Sequence, residues 1–405
     1  WAAIIMMIAL FAMIAFVTNL CSPMATIVKN QFGASELAGQ IGNYANFIAY
    51  LVMGIPSGML IAKLGYKKTA LLALIVGIVG IVFEYLSGVV GSYVIYLVGA
   101  FISGLCMCML NTVVNPLLNV LGGGGKTGNQ LIQIGGAANS AAAVAVYILM
   151  GALIGEVTKS TGISDATPAL IIAGVIFVIA FVILLFTKIE EPEQAKVELS
   201  LITGALKFRQ LSLGALAIFL YMSVEVGTPT YMISYLQTPE VGLSAGVAGL
   251  IASVYWLMMF VGRSIGGSIG GKVSSRAMVS TVATAAIALL LFGIFAPETM
   301  KVTVIGIDWG NLEVIYPQVP VCVLAFILVG LCTSVMWGGI FNMAVEGLGK
   351  YTAAASGIFM TMVFGCAVMV GLQAWVADIV GYLYSYFIPV ACAGYILFYA
   401  LVGSK

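Results

Sequence analysis

Apolar runs recur along this chain and are separated by short polar breaks. A run of about 20 residues crosses the roughly 30 Å hydrocarbon core of a lipid bilayer when it forms a helix. Hydrophobic residues make up 62% of the sequence and charged residues only 8%, far more apolar than the core of a soluble protein requires. We therefore predict an all-α integral membrane protein. The twelve predicted transmembrane helices cover residues 1–27, 41–62, 69–88, 92–118, 129–155, 168–187, 211–237, 245–271, 276–296, 319–345, 352–379 and 382–402.

Lysine and arginine residues indicate the orientation, because they collect in cytoplasmic loops. If the N-terminus is inside, the 16 Lys and Arg residues lie in inner loops, at an inner helix end or in the C-terminal tail, except Lys29, Lys159 and Lys301. We therefore predict a multi-pass protein with both termini in the cytoplasm. The formal net charge of +1 leaves no basic field to steer a nucleic acid, so the lipid bilayer is the expected macromolecular partner.

A polar segment from Lys188 to Arg209 divides the chain into two parts. We predict an N-terminal six-helix bundle at residues 1–187, a cytoplasmic linker at 188–210 and a C-terminal six-helix bundle at 211–405. In both parts, a predicted helix end that contains glycines is followed by a short basic turn, at residues 58–68 and 267–276. Two pseudo-symmetric six-helix repeats with a site between them, near the midplane, are typical of secondary transporters with the major facilitator fold.

The turn between predicted spans 2 and 3 contains Gly58, Gly65, Lys67 and Lys68 and is similar to the signature loop of the major facilitator superfamily, although Ala62 stands where most members have Asp. Further segments resemble the fucose:proton symporter family in chain order. They are residues 110–116 (LNTVVNP) followed by 129–133 (NQLIQ), 215–226 (ALAIFLYMSVEV), 334–341 (SVMWGGIF) with 347–349 (GLG), and 377–381 (ADIVG). Members import sugars such as fucose, galactose, glucose and N-acetylglucosamine, commonly with a proton. The resemblance implies alternating access, a sugar substrate and a location in the bacterial inner membrane.

Two functional positions of the fucose permease differ in this chain. The permease uses an acid in span 1 and a glutamate in span 4 for proton coupling and sugar binding. The matching residues here are the neutral Ser22 and Asn111. Gln133 matches a span 5 glutamine that the family uses for sugar binding. The resemblance therefore implies polar recognition of a sugar, but not the proton route of the fucose permease.

Glu225 is a lone carboxylate near the middle of the apolar run of predicted span 7. A charge at such a depth costs roughly 2.5–3.5 kcal/mol on insertion scales, so an intramembrane acid indicates a functional site. The chain has no histidine, which leaves carboxylates to carry protons near neutral pH. Since the resemblance places span 7 at the central cavity, we predict that Glu225 couples proton movement to sugar transport.

Other interpretations of the intramembrane acids stay open. Glu84 and Asp378 lie near the outer ends of their spans, where water or a helix-end partner can satisfy them. Glu225 itself could be a structural carboxylate in a bent helix, since Gly227 and Pro229 follow it closely. In that case the chain is a passive sugar facilitator of the same fold, and sodium is a further alternative as the coupling ion.

A sugar site requires amides and carboxylates that bond to hydroxyls, with an aromatic face against the C–H surface of the ring. Amides are expensive in lipid, so several in one bundle favour a polar cavity, although each could be a helix-to-helix hydrogen bond. The predicted substrate-binding residues are Asn19, Asn111, Asn115, Gln133, Asn139, Tyr221, Trp256, Trp337 and Asn342.

Gly58, Gly65, Lys67 and Lys68 in the basic turn, with Arg263 at the inner end of span 8, are the predicted gating or structural residues. In span 8 the small-residue spacing of Gly262, Gly266 and Gly270 favours close helix packing.

Several other functions lack support in the sequence. The seven cysteines have no metal-ligand spacing, and Cys106 and Cys108 are expected to point to different sides of one helix. Val120 replaces the first glycine that a nucleotide-binding loop ending at Lys126 would need. We therefore predict a monomeric transporter without a cofactor or metal, and not an enzyme. A transporter-like receptor or intramembrane enzyme would need an added domain or a nucleophile with a base.

Overall fold

The computed structural model describes residues 1–33, 36–122, 125–154, 160–189, 191, 199–269, 273–348 and 351–404. Most of these residues are helical, as predicted. The helices of the N-terminal half are α1 (Ala2–Phe32), α2 (Glu36–Leu64), α3 (Tyr66–Val90), α4 (Tyr93–Leu121), α5 (Gly125–Ile154) and α6 (Thr167–Phe186), with a 3₁₀ turn at Ile163–Ala166. The remaining helices are α7 (Leu199–Ala205), α8 (Arg209–Met222), α9 (Thr228–Leu236), α10 (Ala245–Ile269), α11 (Ser275–Phe295), α12 (Cys322–Thr333), α13 (Met336–Val345), α14 (Thr352–Met362), α15 (Gly365–Val380), α16 (Tyr382–Ser385) and α17 (Phe387–Phe398).

Twelve stretches of the described residues are helical, long and apolar enough to cross a membrane. Each overlaps one predicted span, so the predicted all-α fold with twelve spans is confirmed. Helix α1 continues past its predicted end at residue 27 to Phe32, where Gly33 ends it in a left-handed conformation with φ 59°. Within the predicted linker, α7 is helical, whereas residues 190 and 192–198 lie outside the described part of the chain.

Most spans of the N-terminal half are single helices. Span 7, the first span of the C-terminal half, is interrupted. Helices α8 and α9 are joined by a π-helical turn at Ser223–Gly227, directly before Thr228 and Pro229. Proline has no N–H and cannot continue the ladder of helical hydrogen bonds, which explains the break at this point. Interrupted backbone inside a membrane needs other polar partners, and π turns are frequent at functional sites.

The two halves meet along two seams. Helix α5 packs along α10, and α2 packs against α14 and α15. In the second seam, Gly54 lies so close to α14 that an added Cβ would be 2.6 Å from the backbone nitrogen of Thr361. In lipid the hydrophobic effect does not drive helices together, so their association depends on close packing. Glycines at such points allow the two helix backbones to approach closely.

Within the C-terminal half, glycines of α10 pack against the neighbouring span. A Cβ on Gly262 would lie 2.6 Å from the Ser334 Cβ, and a Cβ on Gly266 would overlap Val335. These glycines therefore have the packing role expected from their spacing, whereas Gly270 lies outside the described residues. Cys106 and Cys108 face different neighbours, since Cys106 lies beside Gly77 of α3 and Cys108 Sγ is 3.9 Å from Ser57 Oγ of α2.

A β-hairpin joins α11 to α12, and its last strand includes residues 319 and 320, which the sequence predicts as the start of span 10. Strand β1 (Lys301–Thr303) pairs antiparallel with β4 (Gln318–Pro320), and β2 (Gly306–Asp308) pairs antiparallel with β3 (Glu313–Ile315). Strand β2 also packs against α10. We call the end of the bundle that carries this hairpin the hairpin face. The opposite end, where the first and last spans begin and end, is the termini face.

The turn between α2 and α3 is fixed by hydrogen bonds to the segment after α6. The Glu191 carboxylate accepts hydrogen bonds from the backbone N–H groups of the first two residues of α3, both at 3.0 Å. An acid at this position also complements the positive end of the helix dipole. Lys67 Nζ donates to the carbonyls of Leu185 (2.9 Å) and Thr187 (2.8 Å) at the end of α6. Lys67 thus has partners suited to a structural role, whereas Lys68 is exposed.

Replacing Gly65 by Ala is expected to destabilise the protein, because Gly65 has φ 90° and an added Cβ would overlap the Glu191 carboxylate. Strain of this kind costs about 1–3 kcal/mol. We expect a Tm in detergent that is a few degrees lower. The matched control is Gly58→Ala in the last turns of α2, since a Cβ there meets nothing within 4 Å. An equal Tm for both variants would contradict the prediction.

Candidate functional site

A cavity of about 130 Å³ lies between the two halves. One water molecule needs roughly 10–15 Å³ of cavity volume, so the cavity has room for about ten groups of that size. It is lined from the N-terminal half by Phe11, Ile14, Ala15, Thr18, Asn19, Phe47, Tyr50, Asn111, Asn115 and Asn139, and from the C-terminal half by Met222, Glu225, Val226, Trp256, Arg263, Trp337, Met360 and Val363. The two walls differ: the amides are on the N-terminal half, and the charges and indoles are on the C-terminal half.

Glu225 lies in the π-helical turn between α8 and α9, and buried tyrosines stabilise the backbone of this turn. Tyr255 Oη donates to the carbonyl of Val224 (3.2 Å), and Tyr386 Oη donates to the carbonyl of Thr228 (2.8 Å). These hydroxyls supply hydrogen bonds to the backbone within the irregular turn and at the start of α9. The turn therefore presents Glu225 to the cavity without leaving these carbonyls unpaired.

The Glu225 carboxylate faces an arginine. Arg263 Nη2 is 3.7 Å from Glu225 Oε1, and the two side chains are only 11% and 14% exposed. The sequence predicts Arg263 as a gating or structural residue at the inner end of span 8, but its side chain lines the cavity. Pairing two charges lowers the cost of burying each of them, so the pair can exist inside the membrane.

Arg263 also connects the two halves of the protein. Its Nη1 donates to the carbonyl of Gly136 (2.6 Å) and to Ser140 Oγ (2.7 Å), and it is 3.5 Å from Asn139 Oδ1. These three groups belong to α5, whereas Arg263 belongs to α10. The planar guanidinium can serve both sides at once because its donors point in fixed, diverging directions.

On the opposite wall, amide nitrogens are used by the protein itself. Asn19 Nδ2 donates to the carbonyl of Ala15 (2.9 Å), and Asn111 Nδ2 donates to Tyr50 Oη (2.9 Å). The nearby Thr18 Oγ1 is buried and has no hydrogen-bond partner among the described residues. A buried polar atom without a partner is costly unless a ligand or water satisfies it.

The other two amides of this wall follow the same pattern. Asn115 Nδ2 donates to the carbonyl of Asn111 (3.0 Å), and Asn139 Nδ2 donates to the carbonyl of Phe11 (2.9 Å). The buried Asn115 Oδ1 has no partner in the part of the chain that the structure describes. The wall therefore offers acceptor oxygens, which are suited to the O–H donors of a polyol.

Two indoles form the wall on the C-terminal half. Trp256 packs edge to face on Tyr255 (centroids 5.4 Å apart, 84° between planes), and Trp337 packs on Tyr221 (6.1 Å, 52°). Both tyrosines bond to Thr333: Tyr221 Oη donates to its carbonyl (3.2 Å), and Tyr255 Oη lies 2.9 Å from its Oγ1. The Trp256 Nε1 is buried without a partner among the described residues. The indoles are thus held in place by the tyrosines that pack against them.

Three predicted binding residues lie outside the cavity lining. Tyr221 supports Trp337 from behind. Gln133 lies towards the termini face, where Gly338 approaches so closely that an added Cβ would be 3.2 Å from Gln133 Nε2, and Asn342 lies further along α13. The side chain of Ser22, which matches the acid position in span 1, lies outside the described residues.

Among the described residues, Glu225 is the only carboxylate that lines the cavity. Glu84 is 6% exposed and accepts a hydrogen bond from Ser103 Oγ (2.9 Å) between α3 and α4, away from the cavity. Asp378 is exposed. The described residues contain no group of three or more His, Cys, Asp and Glu residues able to hold a metal ion.

Several lining residues are not predicted from the sequence. Phe11, Phe47 and Tyr50 are aromatic residues in apolar runs and show no pattern that separates them from lipid-facing aromatics. The sequence contains one indication that Arg263 pairs with Glu225. Arg263 lies within a predicted span, and a charge inside the membrane needs a partner.

Comparison with known proteins gives consistent matches along the chain. A sequence model of the family described as Major Facilitator Superfamily matches residues 6–372. A glucose/galactose transporter of Brucella abortus is 26% identical, with 98% of this chain and 92% of the relative covered. The L-fucose-proton symporter of Escherichia coli is 22% identical, with the same coverage. A crystal structure of the E. coli fucose:proton symporter superposes with a TM-score of 0.76 at 20% identity, covering 100% of this chain and 98% of the other. These relatives are named as transporters, in line with the prediction that the chain is not an enzyme.

Proposed function

Because this chain belongs to the major facilitator superfamily, we propose that it imports a monosaccharide by alternating access, in symport with a proton that Glu225 carries. The substrate is a hexose, a deoxyhexose or an N-acetylhexosamine. The observation that carries the proposal is the cavity between the halves, in which acceptor oxygens and indoles face the Glu225 carboxylate, which is paired with Arg263.

The cavity lining supports a sugar as the substrate. Sugar hydroxyls can donate to Asn115 Oδ1 and to the other amide oxygens of the N-terminal half, and they can accept from Trp256 Nε1. Indole faces suit the C–H surface of a pyranose ring. The relatives named as glucose/galactose and fucose transporters support the same substrate class.

The Glu225 to Arg263 pair provides a physical route for coupling. When Glu225 is ionised, the pair is neutral overall. When Glu225 is protonated, Arg263 is left as a net positive charge in a low-dielectric cavity, which is unfavourable. Sugar hydroxyls lower that cost by solvating the guanidinium, so the sugar binds better to the protonated state. A difference in affinity between the two protonation states is what coupling requires.

A passive facilitator is the second candidate, and the same pair favours it. Since Arg263 already neutralises Glu225, the carboxylate can stay ionised through the whole cycle without a large penalty. The chain then moves sugar only down its gradient. Sodium symport is a third possibility, with the carboxylate as an ion ligand.

We further propose the arrangement in the membrane. Residues 1–187 and 211–405 form the two moving halves, and residues 188–210 join them on the cytoplasmic side. The termini face is cytoplasmic and the hairpin face is external, since lysines and arginines concentrate on the termini side. The protein works as a monomer in a bacterial inner membrane.

Uptake into proteoliposomes tests the proposal. The probes are radiolabelled D-glucose, D-galactose, L-fucose and N-acetyl-D-glucosamine, each with an alkaline interior, with a sodium gradient and without a gradient. We expect at least one sugar to accumulate above its external concentration under the pH gradient, and a protonophore to abolish the accumulation. Equilibration without accumulation supports the passive facilitator instead, and transport of none of the four sugars contradicts the proposal.

A further inference from the structure

Trp309 occupies the seam between the two halves at the hairpin face. It follows Asp308, the last residue of β2, at the tip of the hairpin. Its indole lies between Gly151 of α5 and Gly246 of α10. One ring therefore touches both halves, although the hairpin that carries it belongs to the C-terminal half.

The indole fits only because both neighbours are glycine. An added Cβ on Gly151 would overlap the six-membered ring and lie 2.6 Å from Nε1, and one on Gly246 would lie 2.6 Å from Cδ1. Real Cβ atoms do not approach other atoms so closely. The buried Nε1 has no hydrogen-bond partner among the described residues. Among the described residues the contact is thus held by packing, and none of them has to give up a hydrogen bond to Nε1 for the ring to leave.

Hydrogen bonds stabilise the tip of the hairpin, and the hairpin packs against the C-terminal half. The Asp308 carboxylate accepts hydrogen bonds from Asn311 Nδ2 and from the Gly310 backbone N–H, both at 2.9 Å. These bonds hold the pKa of the Asp308 carboxyl below its ordinary value, with the bond from Asn311 as the main cause. Strand β2 also packs on α10, where a Cβ on Gly306 would be 3.1 Å from Val247. Trp309 is therefore expected to move with α10.

The α5 to α10 seam is closed at both ends of the cavity. Towards the termini face, Gln133 Cβ lies 3.4 Å from the position of a Cβ on Gly267. Towards the hairpin face, a Cβ on Gly249 would lie 3.3 Å from Tyr147, and Trp309 lies beyond this contact. Access from the hairpin face along this seam thus requires that Trp309 leave Gly151.

We propose that Trp309 is the gate of the hairpin face. It closes the seam by packing on Gly151 of the opposite half, and it withdraws on the hairpin, still packed on Gly246, when the halves separate on that side. This inference rests on the proposed function in one respect, namely that the halves rock about the cavity. It assigns to a loop residue outside the membrane spans a role in admitting the substrate.

Reversible crosslinking distinguishes contact across the halves from contact within one half. The test pair is Gly151→Cys with Trp309→Cys, and the matched control pair is Gly246→Cys with Trp309→Cys. Each is bridged with a short bifunctional methanethiosulfonate and assayed for exchange of radiolabelled D-galactose. We expect the first bridge to stop exchange until a reductant is added, and the second bridge to leave exchange at the rate of its reduced form. Equal exchange by both bridged proteins overturns the proposal.

A labelling experiment tests the gate without any transport assay. Thr18→Cys lines the cavity, and its reaction with a membrane-impermeant maleimide added at the hairpin face reports access. We expect Trp309→Ala to speed this reaction by about tenfold, through a larger open population. The control is Tyr316→Ala, an aromatic on the same hairpin that is 66% exposed. Equal labelling rates in both variants overturn the gate. Absence of D-galactose exchange in the parent protein, together with faster labelling, counts against the substrate proposal and supports the gate.

Discussion

Replacing Glu225 by Gln is expected to abolish accumulation of sugar against its gradient, while exchange of labelled for unlabelled sugar continues. The amide has nearly the same shape as the acid and can still lie against Arg263, but it cannot load or release a proton. The variant is thus held in a state equivalent to the protonated carboxyl. Exchange uses only that loaded state, whereas accumulation requires the proton to leave. Paired assays in the same proteoliposomes, with and without a pH gradient, measure the two modes.

The matched control is Glu84→Gln. Glu84 is also a buried acid in a membrane span, but it bonds to Ser103 between α3 and α4 and does not line the cavity. We expect this variant to accumulate sugar. Accumulation at the wild-type rate by Glu225→Gln would contradict the assignment of the coupling site. Loss of accumulation in both variants would indicate that any buried acid is needed for folding, not that Glu225 has a special role.

Replacing Arg263 by Gln is expected to stop exchange and accumulation alike. The change leaves the Glu225 carboxylate buried without a counter-charge and weakens the bonds to Gly136 and Ser140 of the opposite half. Removing one partner of a buried pair costs about 3–5 kcal/mol. A cost of about 3 kcal/mol corresponds to more than about a hundredfold in an equilibrium. Exchange measured in proteoliposomes should fall to the level of protein-free vesicles.

Three further variants locate the cause of that loss. Arg276→Gln is the matched control, because Arg276 is exposed and donates to Ser404 at the termini face; transport should be unchanged. Arg263→Lys keeps the charge but lacks the planar fork, so an intermediate exchange rate is expected. The double variant Glu225→Gln with Arg263→Gln removes both charges and should express better than Arg263→Gln alone. Exchange at the wild-type rate in Arg263→Gln would contradict the role of the pair.

Much of the candidate site could be predicted from residue type and depth. Glu225, predicted as the coupling residue, and four asparagines and two tryptophans, predicted to bind the substrate, all line the cavity, while their roles stay predictions. Gln133 was predicted on its family position, yet it packs against Gly267 and Gly338 outside the lining. The difference lies in which side of α5 faces the cavity at each turn. Helical periodicity in a span that is apolar on nearly all sides does not settle that question.

The sequence by itself determined the number of spans, their approximate ends and the presence of one costly acid at mid-membrane depth. These are local properties: a helix satisfies its own backbone in lipid, so run length and composition suffice to predict it. The tertiary structure alone decided the partners. Arg263 meets Glu225 and α5, and Trp309 reaches between Gly151 and Gly246. Such contacts join segments far apart in the chain, and they depend on how the helices are rotated and how closely glycines let them approach, which no local pattern encodes.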